Sequence, residues 1–135
     1  MNQSSRSGND SPADPHGIAQ VLADLQKQYI HGLPLKAENI EKLWSQRQIQ
    51  DIETEFHKLK GTGKTYGLPE ISQIGEVTES LCESGEAALT QALPLALRLL
   101  RKVHQLRSQG QALELQSEVD FQELQRLRST LGQRS

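Results

Sequence analysis

The chain has 135 residues, with 15 Lys and Arg against 17 Asp and Glu and a formal net charge of −2. That is about one domain with no overall basic field, so neither a nucleic-acid nor a membrane partner is expected. A single cysteine rules out an internal disulfide framework, no apolar run approaches the roughly 20 residues that cross a bilayer, and the polar start lacks a signal-peptide core, so residence in the cytoplasm is expected.

Residues 1–16 are rich in Ser, Asn, Asp, Pro and Gly and nearly free of apolar side chains, which predicts a disordered tail unable to offset its ordering entropy. From Ile18 the pattern changes. Ile18, Val21, Leu22, Leu25 and Tyr29 form a helical stripe that should end near Gly32 and Pro34. Ile40, Leu43 and Trp44 continue an apolar face through a second helix ending near Gln46, and the two segments could equally be one bent helix. A third helix is predicted from Ile49 to Tyr66, with Gly67 as its left-handed stop. Pro69 suits the first turn of a fourth, whose inner stripe is Leu68, Ile71, Ile74, Thr78 and Leu81 and which should stop near Gly85.

A fifth helix is predicted over Leu93 to Ser108, with Pro94 near its start and Leu97, Leu100 and Val103 inward; whether residues 87–92 add an earlier turn is open. Its basic, leucine-rich face reads as the solvated side of a bundle helix. After Gly110, Ser117 and Asp120 are spaced as a capping box ahead of Phe121, Leu124, Leu127 and Leu131, which predicts a sixth helix. No segment alternates as a strand would and aromatics are 4%, so the expected fold is all-α, an antiparallel four-helix bundle with accessory terminal helices. The bundle domain is expected over residues 17–109, with 110–135 as a C-terminal helical extension.

The third helix carries the chemistry. Ile49, Ile52, Phe56, Leu59 and Tyr66, with small Gly63, fall at helical steps on one face, while His57, Lys60, Gly61 and Lys64 recur at the same steps on another. An imidazole, two ammonium groups and a missing side chain thus share one solvent-facing patch. A free imidazole titrates near about 6.5, so near pH 7 much of it offers a nucleophilic nitrogen, and phosphoryl transfer needs mainly positioning and countercharge. Lys60 is placed one turn from His57 to supply that charge, and Lys64 to add to it or to aid docking. Gly61 removes a side chain that would hold a partner off the ring, at a helix-propensity cost of about 0.8 to 1 kcal/mol relative to Ala. Lys58 points elsewhere. His16, His31 and His104 lack such neighbours, and Cys82 has no sign of an activated thiolate. Glu53 and His57 have the i, i+4 spacing of a metal pair, but no second ligand pair accompanies them, so no metal is expected. There is no nucleotide-binding loop, and no cofactor or small-molecule ligand is expected.

At His57, Leu59, Lys60, Gly61 and Gly67 the sequence resembles the histidine-containing phosphotransfer (HPt) family of two-component phosphorelays. Leu68-Pro69-Glu70-Ile71-Ser72-Gln73-Ile74-Gly75 resembles the family's next helix and Leu33-Pro34 to Trp44 its preceding one; the likeness runs from about Ile18 to Arg107 and leaves 111–135 unexplained. It implies a four-helix bundle and a covalent phosphoryl carrier rather than an enzyme, with no ATP site of its own. The carrier would be His57, exchanging phosphoryl groups with aspartates of response-regulator receiver domains or with a hybrid sensor histidine kinase. Lys64 stands where many members have a small residue, and Thr78 where a leucine is usual. Gly61, Lys64, Glu53 and Glu79 are the expected partner-binding residues, with Glu83 near the same zone, and the chain is expected to be a monomer. Two other classes fit the sequence. One is a non-catalytic module that binds or sequesters a receiver; the other is a helical scaffold that dimerises through the C-terminal segment.

Overall fold

The computed structural model of the chain describes residues 15–131. Within them lie six helices: α1 (Pro15–His31), α2 (Leu33–Ser45), α3 (Ile49–Thr65), α4 (Pro69–Glu83), α5 (Glu86–Arg107) and α6 (Val119–Leu131), with a short 3-10 turn at Leu115–Ser117. Residues 1–14 of the expected tail lie outside the described range, and Pro15 and His16, assigned to that tail from the sequence, open α1. At Gly32 the backbone stays right-handed (φ −83°, ψ −5°), its N–H donates to Gln28 O and its carbonyl accepts from the Lys36 N–H, so α1 and α2 are joined by a bend rather than a loop.

Helices α2 to α5 close a ring of antiparallel neighbours, α2 on α3, α3 on α4, α4 on α5 and α5 back on α2, while α6 lies across α4 and α5. The expected stripes point inward: Ile52, Phe56, Leu59 and Gly63 from α3, and Ile71, Ile74, Thr78 and Leu81 from α4, are all buried. Helix α4 is enclosed on most sides, since Glu70, Ser72, Gly75, Val77 and Cys82 are buried too. Helix α3 ends in a Schellman motif: Gly67 takes φ +69°, its N–H bonds Lys64 O, and the Leu68 N–H bonds Gly63 O at 2.7 Å. Residues of helix α2 use Arg47 in the same left-handed role (φ 53°), with its guanidinium stacked 3.9 Å over the Trp44 ring.

Three expectations need correction. Helix α5 begins at Glu86, seven residues before the expected Leu93, because the break lies at Gly85 (φ 105°) and the Ala- and Leu-rich run that follows favours helix. Pro94 therefore sits inside α5, on its exposed side, rather than near its start. The Ser117–Asp120 capping box does not form: Ser117 belongs to the 3-10 turn, and Asp120 gives both carboxylate oxygens to Arg98, each at 3.0 Å.

The C-terminal segment, a pairing element in one alternative reading of the sequence, buries Phe121, Leu124 and Leu127 of α6 in its own bundle. Glu70 secures that end. It is 3% exposed and accepts two hydrogen bonds from Arg107, at 2.8 and 2.9 Å, and one from the Leu113 N–H at 3.4 Å. The basic face of α5 is neutralised by neighbouring helices and turns, Arg98 by Asp120, Arg101 by Glu41, Lys102 by Glu118 and Arg107 by Glu70. Among the described residues no helix is long and apolar enough to cross a membrane.

Candidate functional site

The site is fixed by how closely α3 and α4 cross. A Cβ built on Gly63 would meet Ser72 N at 2.5 Å, and one on Gly75 would meet Lys60 N at 2.6 Å and Phe56 O at 2.7 Å. Only glycine admits backbone-to-backbone contact of this kind. Ser72 tightens the crossing by donating its Oγ hydrogen to Lys60 O at 2.8 Å. Glu79, one turn beyond Gly75, is thereby carried over the outer face of α3, beside His57 and Lys60.

Glu79 binds both. Its Oε2 lies 2.8 Å from His57 Nδ1 and its Oε1 3.0 Å from Lys60 Nζ. Burial pushes the Glu79 carboxyl up, but the hydrogen bonds and charges of Lys60 and His57 outweigh it and hold the group below its ordinary 4.5. The same bond to Glu79 raises the Lys60 ammonium. An ionised carboxylate can only accept, so the proton of neutral His57 resides on Nδ1 and the lone pair on Nε2. The imidazole is 65% exposed against 15% for Glu79, and a Cβ on Gly61 would meet no atom within 4 Å. The ring therefore faces open space with one nitrogen held from behind.

The sequence-predicted residues divide into two groups. His57, Lys60 and Glu79 come together, whereas Lys64 lies two turns along α3, exposed beside Leu22, Ala23 and Gln26 of α1. Lys58 turns away to Glu55, 3.6 Å distant. Glu53 lines the shallow depression beside His57 with Gln50, Asp51, Thr54 and Glu79. Partial burial first, then a hydrogen bond shared with Glu83 and the charges of Glu83 and Glu79, raise the Glu53 carboxyl above 4.5.

One oxygen from each of Glu53, Glu79 and Glu83 falls within 4.8 Å of the others, the spacing to surround a cation. Glu79 is already committed to His57 and Lys60, and exposed acidic clusters are common without an ion, so the arrangement carries no metal assignment. Glu79 was expected only as a docking residue; its place behind the imidazole was missed, as was the crossing made by Gly63 and Gly75. Two glycines in helix interiors, each costing about 1 kcal/mol in propensity, were the available signal.

The Hpt domain family model matches residues 24–133. The chain belongs to the Hpt domain family. No curated protein and no solved structure matches it. The family match makes it a phosphotransfer module of two-component signalling, of a kind that carries phosphoryl groups without an ATP site. It also extends past the likeness seen in the sequence, which stopped near Arg107: the Leu113–Leu127 segment, packed on α4 and α5, falls inside the Hpt match.

Proposed function

We propose that His57 is the phosphoryl carrier of this Hpt domain, accepting the group on Nε2 from a receiver aspartyl-phosphate, or from a hybrid sensor kinase, and returning it to another receiver aspartate. The observation that carries the reading is the 2.8 Å pairing of Nδ1 with Glu79. It leaves the nucleophilic nitrogen as the outward one, on the side that Gly61 keeps clear.

In the forward step the Nε2 lone pair attacks phosphorus, the bond from phosphorus to the aspartate oxygen breaks, and the aspartate leaves as a carboxylate. The ring then carries a positive charge with its proton still on Nδ1, and Glu79 stabilises that charge through the bond it already makes. Lys60, one turn along α3, is near enough to move from Glu79 toward the peripheral phosphoryl oxygens, where charge develops. The receiver would bring its own magnesium ion and acidic pocket. Lys64, Glu53 and Gly61 serve docking in this reading, with Lys64 presenting a cation and Glu53 an acidic edge on opposite sides of the imidazole. The buried, lone Cys82, whose thiol burial pushes up to about 12, suits work in a reducing cytoplasm.

Incubation with a phosphorylated receiver tests the proposal. Acid-labile label should move onto the chain and be absent from a His57→Gln variant. Receiver binding without any label on wild-type chain would instead favour a sequestering module.

A further inference from the structure

Glu79 does not stand alone behind the imidazole. Glu53, one turn before His57 on α3, and Glu83, one turn after Glu79 on α4, each place a carboxylate oxygen within 4.8 Å of the other and of Glu79. Glu79 has given one oxygen to His57 and the other to Lys60, so the other two meet it as like charges. Glu53 is half-buried and lines the depression beside the ring, so water and salt screen this repulsion less than on open surface. The further charged neighbours are Asp51 in the same depression, Glu76, whose charge acts on Lys60, and Lys64 two turns along α3, while Lys58 turns to Glu55. The Cys82 thiol beside Glu53, pushed up to about 12 by burial, stays neutral. Carboxylates therefore outnumber ammonium groups around His57, five to two.

We infer that Glu53 and Glu83 are positioning residues for phosphoryl release: through Glu79 they keep the phosphorylated ring protonated on Nδ1, and so keep the group on Nε2 ready to leave. The inference rests on His57 as the carrier. In the return step a carboxylate oxygen of the receiver bonds to phosphorus, the bond from phosphorus to Nε2 breaks, and its electron pair stays on Nε2. With the proton on Nδ1 the ring leaves as neutral imidazole. Without it the ring would have to leave as an imidazolate anion, a far poorer leaving group. Negative charge gathered at Glu79 favours the protonated, positive ring, since a nearby opposite charge stabilises the charged form. The coupling is reciprocal: burial first, then Glu83 and Glu79, raise the Glu53 carboxyl while the charge of His57 lowers it, so Glu53 in turn holds the proton on the ring. The same carboxylates repel the phosphoryl oxygens, which drives the group toward the receiver. Glu53 thus acts on the charge of the ring as well as presenting an edge to the partner.

Phosphoramidate, a small phosphoryl donor, loads the full chain without a receiver, and single-turnover transfer to a receiver can then be timed from about pH 6 to 9. Transfer should fall as the pH rises and the ring loses its Nδ1 proton. In Glu53→Gln and in Glu83→Gln the fall should come about half a pH unit lower, roughly threefold slower transfer on the alkaline side. Glu53→Asp, which keeps the charge, should follow the wild-type profile. The receiver's own titration is common to all the chains, so a displacement between profiles belongs to this one. Superimposable profiles for the wild type and both Gln variants would overturn the inference, as would slower transfer that saturating receiver restores, which would assign the pair to docking alone. A chain that takes no label on His57 would overturn the carrier reading itself, and this inference with it.

Discussion

Glu79 on α4 reaches across to α3 and accepts the Nδ1–H of His57 at 2.8 Å with one oxygen, while its other oxygen meets Lys60 Nζ at 3.0 Å. One carboxylate thus sets the tautomer of the imidazole and holds the nearest cation beside it. Glu79→Gln keeps an acceptor for Nδ1 but removes the charge that stabilises the phosphorylated ring. A charge-assisted hydrogen bond contributes about 1.5–3 kcal/mol, so transfer from a phosphorylated receiver should slow roughly ten- to a hundredfold. Single-turnover kinetics with an unchanged melting profile would check it.

The Gly75 crossing should be intolerant of any side chain. In Gly75→Ala the new methyl would sit 2.6 Å from Lys60 N and 2.7 Å from Phe56 O, both backbone atoms that cannot swing aside. The helices must separate, at an overpacking cost of about 1–3 kcal/mol, and Glu79 moves off His57. Denaturant unfolding should show the loss, and transfer should slow more than stability alone explains. Gly61→Ala, which meets no atom within 4 Å, should leave stability nearly unchanged and act on receiver docking instead.

Acid should weaken the tie between α4 and the C-terminal segment. Burial pushes the Glu70 carboxyl up, but the hydrogen bonds and charge of Arg107, with the backbone N–H groups, outweigh it and hold the group below 4.5. The folded state therefore binds this proton less readily than the unfolded chain. Its contribution is whole above about pH 4.5 and is lost as the pH falls through the lowered native value. Glu70→Gln should cost about 3 kcal/mol at neutral pH, because Arg107 loses the charge of a buried partner, and should flatten the acid limb of the stability profile.

Thr78 offers the opposite case. It is fully buried, and its Oγ1 has no hydrogen-bond partner among the described residues. Replacing that hydroxyl by a methyl in Thr78→Val keeps the shape and removes an unsatisfied group, which should stabilise the bundle by about 1 kcal/mol or more. Thermal unfolding of the two chains would register the gain as a higher midpoint.

Most of the bundle was legible because its helices announce themselves by apolar spacing and by Pro and Gly punctuation. Phe56, Leu59, Ile71 and Ile74 needed only a period of 3.6 to be placed inside. The start of α5 was placed at Leu93, with residues 87–92 left open, because Pro94 looked like a first-turn residue, whereas the helix runs on directly from the stop at Gly85 that the sequence does mark. The stripe of α1 was readable as a stripe, but periodicity cannot say whether an apolar face meets its own core or water. At the site, His57, Lys60 and Gly61 were legible because they share one helix. Glu79 was not, since its role depends on a crossing angle set by Gly63 and Gly75 on two different helices, and side-chain contacts across helices have no fixed sequence spacing.

The most direct measurement is nitrogen and phosphorus NMR of the chain after phosphorylation by a receiver, read at the imidazole ring. The account predicts one phosphohistidine, at His57, with phosphorus coupled to Nε2 and the proton retained on Nδ1 against Glu79. Phosphorus on Nδ1, or on any other residue of the chain, would contradict it.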